Sequence, residues 1–89
     1  MLTQHIEIVN KLGLHARAAA KLVNLATAFE AEVEIEKDGK RVNGKSIMSV
    51  MMLAASQGST LTLHIDGSDE SEAMAQVVEL ITARFGEGE

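Results

Sequence analysis

The sequence predicts an α+β fold: a two-layer, open-faced sandwich in the order βαββαβα, with a four-stranded antiparallel sheet and three helices on one face. Three observations carry this. Four segments alternate apolar and polar residues, the pattern of strands with one wet face. Three other segments repeat their apolar residues at helical spacing. Between the second and third strands stands Asp38-Gly39, a two-residue hairpin turn. Since every strand keeps a polar face, the helices must all cover the other one.

Residues 2–9 form the first strand, with Leu2, Gln4, Ile6 and Ile8 on one face and Thr3, His5, Glu7 and Val9 on the other. His5 falls on the mainly polar face and is expected in solvent. Asn10 to Leu14 is a loop that pivots at Gly13. From Ala16 the period changes, and Ala19, Leu22, Val23 and Ala26 make a helical stripe, with Phe29 closing its end over the core. In the next strand Ala31, Val33 and Ile35 face inward, while Glu32, Glu34 and Glu36 face water rather than a metal. Lys40 to Asn43 is the short return strand. Ser46 is a good N-cap for a second helix, whose stripe is Ile47, Val50, Met51 and Ala54, with Met48 and Met52 outside it. Thr60 to Ile65 alternates strictly, which puts His64 on the outer face and in solvent. Asp69 and Glu72 form a capping-box-like pair for the last helix, which Gly86 stops; Glu87 to Glu89 are expected to fray.

The chain of 89 residues is read as a single domain. It has no cysteine, so disulfides and thiolate metal sites are excluded. The first residues have neither a basic nor an apolar region of a secretory signal, and no apolar run approaches a membrane span. A cytoplasmic monomer without cofactor or metal is the expectation. The net charge of −5 is uneven: residues 66–89 carry a net −6, and residues 1–65 a net +1. With no basic run and neither tyrosine nor tryptophan, nucleic-acid binding is excluded. Lys11, Arg17, Lys21 and Lys45 suit a small anion or an acidic protein partner instead.

The chemistry centres on Gly13-Leu14-His15-Ala16-Arg17. His15 stands where strand gives way to helix. A helix N-terminus presents unpaired N–H groups and the positive end of its dipole, a ready anion site. A histidine there is a nucleophile facing that site, and Arg17 adds a permanently charged donor. A histidine that carries a phosphoryl group is the reading that follows. A competing motif, Gly39-Lys40-Arg41-Val42-Asn43-Gly44-Lys45-Ser46, matches the phosphate-binding P-loop, and Leu61 to Asp66 resembles its magnesium-holding strand. Its first glycine belongs to the hairpin and Val42 to the return strand, so nucleotide hydrolysis is rejected.

Leu12-Gly13-Leu14-His15-Ala16-Arg17 resembles the active-site motif of the HPr family, the histidine phosphocarriers of the bacterial phosphotransferase system. Asn43-Gly44-Lys45-Ser46-Ile47-Met48 resembles that family's regulatory serine segment, and Gln57-Gly58 fits too. The resemblance covers nearly the whole chain. It implies a carrier rather than an enzyme. His15 would accept a phosphoryl group on Nδ1 from phosphorylated Enzyme I and pass it to an Enzyme II A domain. Arg17 would neutralise the phosphoryl charge, and Ser46 would be modified by an ATP-dependent HPr kinase/phosphorylase. Ala20, Ile47, Met48 and Met51 match docking positions. A nitrogen-branch member (NPr), with regulatory partners, shares the same chemistry. The chain departs from the family at Ala18, where many members have proline.

Overall fold

The computed structural model describes residues 1–88. Its order is β1 (Leu2–Glu7), α1 (Ala16–Thr27), β2 (Glu32–Lys37), β3 (Lys40–Asn43), α2 (Ile47–Met51), β4 (Thr60–Asp66) and α3 (Glu70–Thr82), followed by a 3-10 turn, Arg84–Gly86. The four strands form one antiparallel sheet in the order β1-β4-β2-β3. Leu2 lies opposite Ile65 and Glu7 opposite Thr60, so the first strand pairs with the last. The predicted open-faced sandwich is the fold observed.

Alternation explains the layers. Ile6, Val33, Ile35, Leu61, Leu63 and Ile65 bury one sheet face. Onto them pack Leu22 and Val23 of α1 and Val77 and Ile81 of α3. Ala18, Ala19 and Ala26 are fully buried, and their small side chains let α1 sit close to the sheet. The hairpin turns at Asp38 and Gly39, both left-handed with φ of 52° and 83°. The P-loop candidate dissolves here, because residues 40–43 pair with β2 and leave no continuous loop.

Four expectations need correction. The second helix has five residues, and of these only Val50 is buried; Ile47, Met51 and also Ala54 beyond it lie in solvent. One turn is too short to bury a stripe. Asp69 does not cap α3 with its side chain. Its carboxylate accepts the amides of Glu30 and Ala31, each at 2.9 Å, and so ties the start of α3 to the turn before β2. Glu70, rather than Glu72, reaches back, accepting the Gly67 amide at 3.1 Å. The last helix ends at Thr82, ahead of Gly86, because Arg84 and Phe85 turn left-handed and drive Phe85 into the core. His64 is not in solvent: its side chain is 14% exposed and Nε2 lies 2.8 Å from Glu36 across the strands. His5 is exposed as expected, with Nδ1 2.9 Å from the Thr62 hydroxyl.

Candidate active site

The site is built where β1 hands over to α1. Ile8 continues the sheet by bonding Ser59 and Gly58. Asn10, fully buried, then folds the loop on itself: its carbonyl accepts the Gly13 amide at 3.2 Å, and its Nδ2 donates to the Gly13 carbonyl at 2.8 Å. Gly13 is left-handed, with φ of 67°. Leu14 is buried, and its amide donates to the Ala55 carbonyl at 2.8 Å, which fastens the loop to the chain just after α2. These anchors leave His15 as the N-cap of α1, in extended backbone, with its carbonyl accepting the Ala19 amide at 2.8 Å.

The His15 side chain is 29% exposed and makes no capping bond to the backbone of α1. It lines an open cleft together with Lys11, Arg17 and Lys21. Three cations around one imidazole at a helix N-terminus make an anion site, by charge and by unpaired N–H groups. Arg17 is exposed on the first turn. Lys21 is partly committed, donating to the Phe85 carbonyl at 2.7 Å. Ala18 is the third residue of α1 and fully buried. Its amide is therefore one of the first-turn donors that the helix cannot pair.

Two residues of this site escaped the sequence reading. Glu87, expected to fray, is in contact with the ring: His15 Nε2 and Glu87 Oε2 share a hydrogen bond, and Asn10 Nδ2 donates to Oε1 at 3.0 Å. The hydrogen bond with His15, followed by that with Asn10, holds the Glu87 carboxyl below the usual glutamate range, so it is ionised at neutral pH. The other residue is Asn10 itself, read only as loop. The available signal was Phe85: a large apolar residue beyond the helix pattern has to be buried, and burying it carries the next residues back over α1. Glu89 lies outside the described residues.

Ser46 is the N-cap of α2, and its Oγ accepts the Ser49 amide at 3.3 Å. It is remote from His15. Lys45 donates to the carbonyl of Phe29, at the far end of α1, at 2.8 Å. Most of the length of α1, about 18 Å at 1.5 Å per residue, lies between the two sites. Lys45 is thus not part of the basic surface around His15, contrary to expectation. The exposed face of α2 lies on the helix packed beside α1. Met48 is 73% exposed and Ile47 and Met51 are each 40% exposed, with Ala20 half-buried on α1.

Fold and site together define a small α+β domain that presents one half-exposed histidine in a cationic cleft, beside an uncovered apolar helix. The family model for the PTS HPr component phosphorylation site matches residues 2–83. The phosphocarrier protein HPr of Neisseria meningitidis serogroup A is 56% identical over 89 residues, covering both chains completely. Among solved structures, HPr of Thermoanaerobacter tengcongensis superposes with a TM-score of 0.95 at 49% identity, covering 98% of each chain. A dimer of HPr from the same organism gives 0.79 at 51% identity, covering 92% of this chain and 94% of that one. The chain belongs to the HPr family and is a phosphocarrier of the phosphotransferase system. Among the described residues no helix is long and apolar enough to cross a membrane.

Proposed function

We propose that His15 is the phosphoacceptor, taking the group from phosphorylated Enzyme I and passing it to Enzyme II A domains. The observation that carries this is the placement of its half-exposed ring at the N-terminus of α1, in one cleft with Arg17. Arg17 neutralises charge on the bound phosphoryl group, and the first-turn N–H groups of α1 add to it. The chain acts in the cytoplasm as a monomeric carrier, not as an enzyme. Ala20, Ile47, Met48 and Met51 form the docking surface. Ser46, at the other end of that surface, is a regulatory site for an HPr kinase/phosphorylase.

The test is labelling from phosphoenolpyruvate with Enzyme I. Wild type takes an acid-labile, alkali-stable label, and His15→Ala takes none. Label on the variant, or on His5 or His64 of the wild type, refutes the assignment.

A further inference from the structure

We propose that Glu87 is a positioning residue for phosphoryl acceptance: it fixes the His15 ring in the tautomer whose Nδ1 is free to attack. The inference rests on the reading of His15 as acceptor. An ionised carboxylate can only accept hydrogen bonds, so the proton in the His15–Glu87 bond sits on Nε2. A neutral imidazole with Nε2 protonated has its lone pair on Nδ1.

The backbone works to bring Glu87 there. Arg84, Phe85 and Gly86 are left-handed in succession, with φ of 58°, 54° and 76°. Two of these three are not glycine, and such residues hold this conformation only where their surroundings enforce it; they cluster at functional sites. Here the enforcement is visible. Phe85 is 1% exposed in the core, and its carbonyl is gripped by Lys21. Asn10 completes the hold. Both of its contacts, the Gly13 carbonyl and the Glu87 carboxylate, are acceptors, so its NH2 group must face them. Its Oδ1 is buried and accepts no hydrogen bond among the described residues. Asn10 thus joins the loop before His15 to the carboxylate that orients His15.

In the transfer step the Nδ1 lone pair attacks phosphorus and an N–P bond forms. The bond from phosphorus to the donor's leaving atom breaks, and its electron pair stays with the donor. No proton has to leave His15. Nε2–H persists, and the Glu87 carboxylate stabilises the positive charge that the ring acquires. Lys11, Arg17 and Lys21 face the same cleft and offset the repulsion between Glu87 and the incoming group.

The test uses the full chain and the variants Glu87→Ala and Glu87→Gln. Nitrogen-15 NMR of the His15 ring at alkaline pH reads the tautomer without any partner, so it is independent of the labelling experiment. In wild type Nε2–H predominates; in Glu87→Ala both tautomers are populated. At saturating Enzyme I the rate of transfer to Glu87→Ala falls roughly tenfold, the scale of one hydrogen bond to a charged group, with little change in the Enzyme I concentration needed. Glu87→Gln keeps an acceptor without the charge and falls between the two. An unchanged tautomer in Glu87→Ala, or transfer as fast as or faster than wild type, overturns the proposal.

Discussion

Gly13 stands so close to Ala55 that a Cβ added to it would lie 2.5 Å from the Ala55 carbonyl oxygen and 2.9 Å from Ser56 Cα. The same carbonyl accepts the Leu14 amide at 2.8 Å. The loop that presents His15 is therefore pressed directly onto the backbone that leaves α2, and only glycine permits the approach.

Gly13→Ala accordingly meets two penalties: a left-handed backbone, costing about 1–2 kcal/mol, and a clash with backbone that cannot swing aside, costing about 1–3 kcal/mol. Gly39→Ala is the control, since Gly39 is also left-handed but a Cβ there meets open space. Urea unfolding should show Gly13→Ala losing clearly more stability than Gly39→Ala, with slower labelling of His15 in the first alone. Equal losses would show that the loop relaxes away from Ala55.

Met48 and Val50 are two residues apart on α2, and they separate docking from folding. Val50 is fully buried and Met48 is 73% exposed. Met48→Asp should leave stability within about 0.5 kcal/mol while slowing transfer from Enzyme I. Val50→Ala should cost about 2 kcal/mol by opening a cavity. Unimpaired transfer to Met48→Asp would remove this residue from the docking surface.

Ser46→Asp should fold normally, because the site is solvent-accessible and a negative group suits a helix start. Transfer from Enzyme I should slow through weaker association, and the defect should shrink as salt rises. Ser46→Ala loses only the cap, about 0.5–2 kcal/mol, and keeps transfer near wild type. Rates across a salt series decide it. A Ser46→Asp rate equal to wild type at low salt rejects a regulatory role, and an inactive Ser46→Ala rejects a purely regulatory one.

Acid should weaken the fold through three carboxylates. The Glu30 amide, then that of Ala31, lowers the Asp69 carboxyl from its ordinary value. The Gly67 amide, then the N-terminal ammonium, does so for Glu70, and His15 with Asn10 for Glu87. A carboxylate depressed in the folded state stabilises it above the unfolded value. That contribution is lost as pH falls through the lower, folded one. The urea midpoint should therefore hold at neutral pH and decline from about pH 4 downward, the ordinary carboxylate range. Asp69→Asn should lower the midpoint at neutral pH and flatten the acid decline. An unchanged acid slope would show that the Asp69 bonds do not persist in solution.

The layers and the position of His15 were legible because they follow from periods. Alternation at Thr60–Ile65 and the stripe through Leu22 and Val23 state which face is buried, whatever the partner strand or helix. What was not legible depends on contacts distant in sequence. Asp69 has cap-forming chemistry, yet the amides of Glu30 and Ala31 compete for the same carboxylate and win. His64 falls on the outward face, but Glu36, 28 residues earlier, shields it there. Glu87 lies 72 residues after His15, in an acidic, glycine-containing tail that local composition reads as loose. Only the burial of Phe85, with two non-glycine residues forced left-handed, brings it back.

The register of β1 also sets the order in which the molecule can be completed. Residues 2–7 are made well before their partners, residues 60–65 of β4, and β4 must in turn seat β2 on its other edge. At about 5–20 residues per second, the ribosome keeps β1 without a partner for roughly 3–12 s. The β2–β3 hairpin, whose pairs are at most nine residues apart, needs no such wait. The loop carrying His15 then takes shape late, when Gly58 and Ser59 arrive to bond Ile8, so the active site is assembled by the same closing event that finishes the sheet.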